Sequence, residues 1–185
     1  MKLSKEQKDQ IVTQVLQSSR LEESYLNLYE DEFYLVSDWY YLAILNLARL
    51  KSNQADTDWI AKRLNLTREM AEEALQRLIR MGFLKIENSR MVRLARPVST
   101  TCDIPSVAIR NYHKQILDLA GHSLDNVPLE MREISAITIP TSGKNLAKVK
   151  SLLLRTRKKV ATMMEDPNGA EVYTLAIQLF PLTKV

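Results

Sequence analysis

The side chains best placed to do chemistry lie in the stretch from Leu66 to Asn88, LTREMAEEALQRLIRMGFLKIEN. At about 100° per residue on a helix, the side opposite the apolar stripe is polar, with Glu72 and Arg77 at its borders. The residues at its centre are Glu69, Glu73, Gln76 and Arg80. DNA phosphates repel carboxylates, although a glutamate can accept a hydrogen bond from cytosine N4.

DNA binding by this helix requires cations nearby, and the sequence offers five, together with one amide for a base. They are Lys62 and Arg63 on the preceding helix, Arg68 at the N-terminal end of this one, Arg90 and Arg93 on a following hairpin, and Gln76 as the amide. Arg68 suits a phosphate beside a helix N-terminus, and the hairpin arginines suit a minor groove. These six residues are the predicted DNA contacts.

Two alternatives use the same helix without DNA. In one, the acidic side docks on a basic protein partner through Glu69, Glu72, Glu73 and Arg80. In the other, Glu73 and Arg77 form an i, i+4 ion pair on a merely solvated surface.

A second concentration of charge lies in a long C-terminal helix. Its basic stripe consists of Lys144, Lys148, Arg155 and Lys159. A phosphate backbone or an acidic partner can lie along such a stripe, but TSGKN lacks the spacing of a phosphate-binding loop. The apolar side of the helix, from Leu146 to Met163, is spaced in threes and fours and can pack on its own sheet or on a second copy.

Catalytic and metal chemistry find little support. The single Cys102 excludes an internal disulfide, and with His113 and His122 it is too little for a zinc site built from Cys and His. Cys102 or Ser106 with His113 lacks a third orienting group in a recognisable motif. We expect no enzymatic activity, no metal and no cofactor.

Composition and charge indicate a globular, cytoplasmic protein. Of the 185 residues, 45% are hydrophobic and 26% charged, and no apolar run is long enough to cross a bilayer. The net charge of +4 is uneven, because residues 1–36 hold seven acidic and four basic side chains. The mild basic excess of the remainder permits nucleic-acid contact without requiring it.

The pattern of elements predicts an α+β fold that begins with an acidic helical arm at residues 1–36 and a winged helix-turn-helix at residues 37–96. Ser37 is the expected cap of a first helix, and Asp56 or Thr57 that of a second. Thr67 is expected to cap the third helix and Gly82 to end it. The strands FLKIE and RMVRLA, joined by Asn88-Ser89, form the wing.

A linker at residues 97–105 leads to a small α+β domain at residues 106–185. It is predicted as the helix VAIRNYHKQILDLAGHSL, the strand ISAITIP, the helix SGKNLAKVKSLLLRTRKKVATMMED and the strand EVYTLAIQLFPL. The long crossover favours parallel strands. Because two strands make a thin sheet, we expect the wing or a second subunit to add to it.

The segments SDWYYLAI, DTDWIAKRLNLTREMAEEALQRLIRMGFLK, IPSVAIRNYHKQILDLA and IQLFPLTK together resemble a large paralogous family of bacterial proteins of unknown function. The likeness extends over about residues 30–184. It implies a winged-helix domain and a presumed role in transcriptional regulation. Members usually carry a further helix-turn-helix ahead of the acidic arm, so the resemblance implies that this chain is either a short form or a fragment.

The function expected from these features is that of a DNA-binding transcriptional regulator. Its C-terminal domain would pair two subunits, so that two winged helices meet two half-sites. The alternative is a protein-interaction adaptor in which the winged helix is only a scaffold.

Overall fold

A computed structural model describes residues 37–94, 107–166 and 168–183. The predicted arm at residues 1–36 and linker at residues 97–105 lie outside the described residues. In chain order the elements are α1 (Trp39–Leu47), α2 (Thr57–Leu64), α3 (Arg68–Arg80), β1 (Leu84–Glu87), β2 (Arg90–Arg93), α4 (Val107–Asn126), a 3-10 turn (Leu129–Met131) and α5 (Leu146–Met164). The described residues thus combine α-helices with one two-stranded sheet, as the predicted α+β class requires.

Residues 37–94, here called the hairpin unit, are built around one apolar core. Helix α1 is apolar over much of its circumference, so that it supplies four buried side chains, among them Tyr41 and Ile44. Ile60 of α2 and Leu78 of α3 are fully buried against them. Tyr40 and Trp59 are only partly covered, but they pack on the same core, as helical spacing among aliphatic residues predicts.

The connection between α2 and α3 follows the predicted cap residues. The Asp56 carboxylate accepts a hydrogen bond from the Trp59 amide at 2.6 Å, which satisfies a free amide at the start of α2. Asn65 ends α2 in a left-handed conformation with φ 52°, which asparagine tolerates better than most residues. The Thr67 hydroxyl then accepts from the Met70 amide at 3.2 Å and begins α3.

The turn that follows the last helical residue of α3, Arg80, contains Gly82, which has φ 71°. The Gly82 amide donates to the Ile79 carbonyl and the Phe83 amide to the Leu78 carbonyl, each at 2.9 Å, which is the Schellman arrangement. The chain therefore turns directly from α3 into β1.

Strands β1 and β2 form an antiparallel hairpin in which Leu84 pairs with Arg93 and Glu87 with Arg90. The two residues between the strands, Asn88 and Ser89, have φ 50° and 59°, so both adopt the positive φ of a tight hairpin turn. The predicted turn and strands are therefore confirmed.

Asn53 holds the hairpin against the loop that follows α1. This side chain is 6% exposed, and its NH₂ group donates to the carbonyls of Ala48 and Leu50. Its carbonyl oxygen accepts from the Met91 amide of β2 at 2.8 Å. One amide side chain thus ties the end of α1 to the second strand.

The cap of α1 differs from the prediction. Asp38, not Ser37, is the residue before α1, and its side chain makes no capping hydrogen bond. The Trp39 amide instead donates to the Gln115 side chain of α4 at 3.2 Å, while Ser37 is buried and hydrogen-bonded by Asn111 of α4. A local sequence signal cannot reveal a cap supplied by another helix.

The C-terminal region departs from the prediction most clearly. Helices α4 and α5 and the short turn between them appear as expected. The predicted strands at residues 134–140 and 171–182 do not, because within the described residues only β1 and β2 are paired as strands. A β-strand needs a hydrogen-bonded neighbour, and neither segment has one within this chain's described residues.

Replacing Asn53 by Ala should lower the free energy of unfolding by about 2–3 kcal/mol, because the Met91 amide is left buried without an acceptor. Chemical denaturation of the purified chain measures this loss. The neighbouring Gln54 is exposed, so Gln54→Ala should change the stability by less than about 0.5 kcal/mol. Equal effects of the two substitutions would show that Asn53 has no special role.

Candidate functional site

Helix α3 is presented as an exposed helix between a tight turn and the hairpin. Ala71, Ala74, Leu75 and Leu78 face the core, so the opposite side of the helix faces solvent. All five residues of this outer face are exposed, as predicted: Glu69, Glu72, Glu73, Gln76 and Arg80. The face carries three carboxylates and one guanidinium, so its charge is predominantly acidic.

Two of the acidic residues are further defined by their neighbours. Hydrogen bonds from its own backbone amide and from the Thr67 hydroxyl lower the pKa of Glu69, which is therefore charged at neutral pH. The Glu73 carboxylate lies 3.0 Å from Arg77, which confirms the predicted i, i+4 pair. Within the acidic face, Glu73 is thus ion-paired, whereas Glu69 is held by local hydrogen bonds.

Arg77 of α3 contacts Tyr41 of α1 as well as Glu73 of its own helix. Its side chain is 13% exposed, and it donates to the Tyr41 hydroxyl at 2.6 Å. Burial raises the pKa of Tyr41, although the nearby Arg77 charge opposes the shift, so the phenol is neutral at physiological pH. Arg77 therefore belongs to the packing of the hairpin unit rather than to its outer face.

Three of the five cations predicted to meet phosphates have partners within the chain. The Arg68 guanidinium lies 2.6 Å from the Asp58 carboxylate of α2. Arg63 lies 2.9 Å from Glu171, and Arg90 donates to the backbone carbonyls of Leu50 and Lys51. Each arginine is neutralised or held locally, an arrangement that residue spacing alone did not reveal.

The remaining candidates, Lys62, Gln76 and Arg93, are exposed. Partial burial and the charge of Arg49 lower the pKa of Arg93, although a guanidinium stays protonated at any physiological pH. The six predicted DNA contacts therefore all lie on the surface of the hairpin unit, and three of them, Arg63, Arg68 and Arg90, also bind partners within the chain.

An acidic segment after α5, formed by residues 165–166 and 168–171, returns to the hairpin unit. Glu165 pairs with Arg49, and Asn168 accepts a hydrogen bond from Lys51. Arg63 binds both the Glu171 carboxylate and the Ala170 carbonyl. Sequence reasoning missed this contact, because an acidic run in a loop does not reveal which of several basic surfaces it meets.

The basic stripe is exposed along its whole length, but only three of its members belong to the helix. Lys144 precedes Asn145, the cap residue of α5, so the stripe on α5 consists of Lys148, Arg155 and Lys159. The start of α5 follows Gly143, which has φ 76°.

Of the groups considered for catalysis, the structure describes only the histidines. Cys102 and Ser106 lie outside the described residues. His113 is exposed on α4 and makes an edge contact with Tyr112, with ring centroids 5.6 Å apart. Among the positions that the structure describes, no three His, Cys, Asp or Glu residues are grouped so that they could hold a metal ion.

The chain belongs to the family defined by a domain of unknown function, DUF4423, whose model matches residues 18–182. No curated protein matches the chain, and no solved structure does. None of the helices in the described ranges is long and apolar enough to cross a membrane.

Replacing Tyr41 by Phe should destabilise the hairpin unit by about 1.5–3 kcal/mol, because the poorly exposed Arg77 loses its phenolic acceptor. The same change at Tyr173, which is 54% exposed, should stay within about 0.5 kcal/mol. Denaturation of both variants by urea measures the difference. A Tyr41→Phe variant as stable as the wild type would mean that water replaces the phenol without penalty.

Proposed function

We propose that the chain is a regulatory protein of winged-helix type that binds DNA through α3 and the β1–β2 hairpin and acts as a dimer. The observation that carries the proposal is the exposure of α3 between the left-handed turn at Asn65 and the hairpin that begins after Gly82. This is the order in which helix-turn-helix proteins present a helix to the major groove.

The intramolecular ion pairs are compatible with DNA binding because they are weak. The Arg68–Asp58 pair has side chains that are 61% and 64% exposed, and such pairs contribute about 0–1 kcal/mol. A phosphate can therefore replace Asp58, since contact with phosphate also releases counterions. Arg63 is held more firmly, because its side chain is 30% exposed and also binds the Ala170 carbonyl.

Arg68 is the best placed of these cations. It occupies the first position of α3, directly after the Thr67 cap, where the free amides of the helix favour an anion. Asp58 then competes with the phosphate for the same guanidinium. The acidic outer face lowers the affinity further, so we expect moderate binding that depends strongly on salt.

Replacing Asp58 by Asn should strengthen binding to duplex DNA by roughly 3–10-fold at low salt, because Arg68 is released and a carboxylate beside the DNA is removed. Fluorescence anisotropy with random duplex at two salt concentrations measures the change. Asp118→Asn on α4 alters the net charge equally, but Asp118 lies on another helix and should give less than about a twofold effect.

A complementary variant, Arg68→Ala, should weaken binding and reduce the slope of log affinity against log salt by about 0.9, the value for one phosphate contact. If the wild-type chain fails to bind duplex at low salt, the DNA proposal is wrong. Equal effects of Asp58→Asn and Asp118→Asn would leave only an unspecific charge effect and would exclude Arg68 as a contact.

The acidic outer face favours a second function, that of a protein-interaction adaptor. Glu69 and Glu72 are exposed and separated by one turn, so they can bind a basic partner while the hairpin unit serves as a scaffold. The partner would then meet the carboxylates that DNA would avoid.

The double substitution Glu69→Gln and Glu72→Gln separates the two functions because it has opposite expected results. It should strengthen duplex binding several-fold if α3 enters DNA, since two repulsive charges are removed. For an adaptor it should abolish capture of the partner from native lysate. The double substitution Glu130→Gln and Glu133→Gln, at two exposed positions after α4, removes the same number of charges and should alter neither result.

A further inference from the structure

The C-terminal region exposes an unusual amount of apolar surface. Most of the large apolar side chains that are exposed among the described residues lie after α4. Most of these are found on residues 134–139, on α5 and on residues 173–182. They include Ile137, Ile139, Leu146, Leu152, Met163, Met164, Tyr173, Leu175, Ile177, Leu179, Phe180 and Leu182. Surface of this extent marks an interaction site in a monomer.

In the final segment, residues 171–181, two partly covered residues lie on one face and a row of exposed apolar residues lies on the other. Val172 packs against the core of the hairpin unit, and Ala176 on the same face is half-buried. The alternating residues on the other face are exposed: Tyr173, Leu175, Ile177 and Leu179. Exposed apolar residues at a period of two are the pattern of a strand face that lacks a packing neighbour.

The backbone of the extended segments is also unpaired within the described residues. Neither residues 134–140 nor residues 171–181 are hydrogen-bonded as strands there, although both carry the β-branched residues that favour strands. Such segments present rows of free amides and carbonyls, which invite pairing with another chain.

Helix α5 lies between these segments in sequence and buries no residue, although Leu153 and Val160 are partly covered. Its apolar side contains Leu146, Val149 and Met163, and the basic stripe is centred about 120° away around the helix. Lys150 and Arg157 lie only about 40° and 20° from Leu146 around the helix, so the apolar side can back a sheet, whereas direct contact with a like helix would bring cations of two copies together.

We propose that a second copy of this chain covers this surface, through pairing of residues 134–140 and 171–181 in a sheet shared between two copies and backed by α5. Each copy contributes these two segments. Two strands make a sheet that is too thin to be stable alone, whereas four strands suffice. A two-fold axis places the same unpaired edges and apolar faces opposite each other.

The available area agrees with this assignment. The exposed fractions of the large apolar residues after residue 133 sum to roughly eight fully exposed residues, or well over about 1,000 Å² at roughly 150–200 Å² each. A stable interface buries about 800 Å² per partner. The exposed apolar surface is therefore large enough for an interface with a second copy.

This proposal rests on the proposed function, because it assigns the surface through which the proposed dimer forms. Its test measures mass and amide protection without DNA, so the failure of either proposal is distinguishable from the failure of the other.

The test compares the full chain with two variants by sedimentation equilibrium over a wide concentration range. The wild type should sediment with twice the chain mass. Ile177→Asp places a charge in the shared sheet and should raise the dissociation constant at least about 100-fold, because a buried unpaired charge is strongly unfavourable. Thr174→Asp adds the same charge at an exposed position on the other face and should remain a dimer.

Hydrogen exchange supplies a second measurement that does not depend on how well the variants fold. Amides of residues 134–139 and 171–180 should be protected in the concentrated wild type, and the protection should fall on dilution. A wild type that is monomeric at every concentration overturns the proposal, and a monomer with protected amides would show that the chain covers the surface itself. A dimer that survives Ile177→Asp overturns the proposal equally.

Discussion

The hairpin unit depends on the placement of one buried amide, that of Asn53. Its side chain satisfies two carbonyls at the end of α1 and one amide of β2, groups that would otherwise be buried without partners. The Ala55 amide and the Arg90 guanidinium add bonds between the same loop and the hairpin. The hairpin therefore keeps a defined position beside the helices, and α3 is held between two fixed neighbours.

The charges around α3 create a balance between internal and external partners. Asp58 and Glu171 neutralise cations at the surface, so the unit does not present all of its positive charge to solvent. Because these pairs are solvent-exposed, little free energy separates the paired from the released arginine. A ligand with several negative charges can then use arginines that a single ion would not displace.

Local signals in the sequence predicted local structure well. Asp56, Thr67, Gly82 and the Asn88-Ser89 turn act through bonds to residues within five positions, so their types and spacing were sufficient. The contacts missed were non-local: the Gln115 cap of α1 and the ion pair of Arg63 with Glu171. The two predicted strands were not found in the described residues because strand pairing depends on a neighbour that composition cannot provide.

The Gln115 cap has a consequence for how the chain acquires its structure. The first turn of α1 is completed by a side chain that lies 76 positions later, so this bond cannot exist until most of the protein has left the ribosome. Closure of so long a loop is slow compared with the formation of a single helix. The hairpin can therefore form early, whereas the N-terminal end of α1 becomes fixed only when α4 arrives.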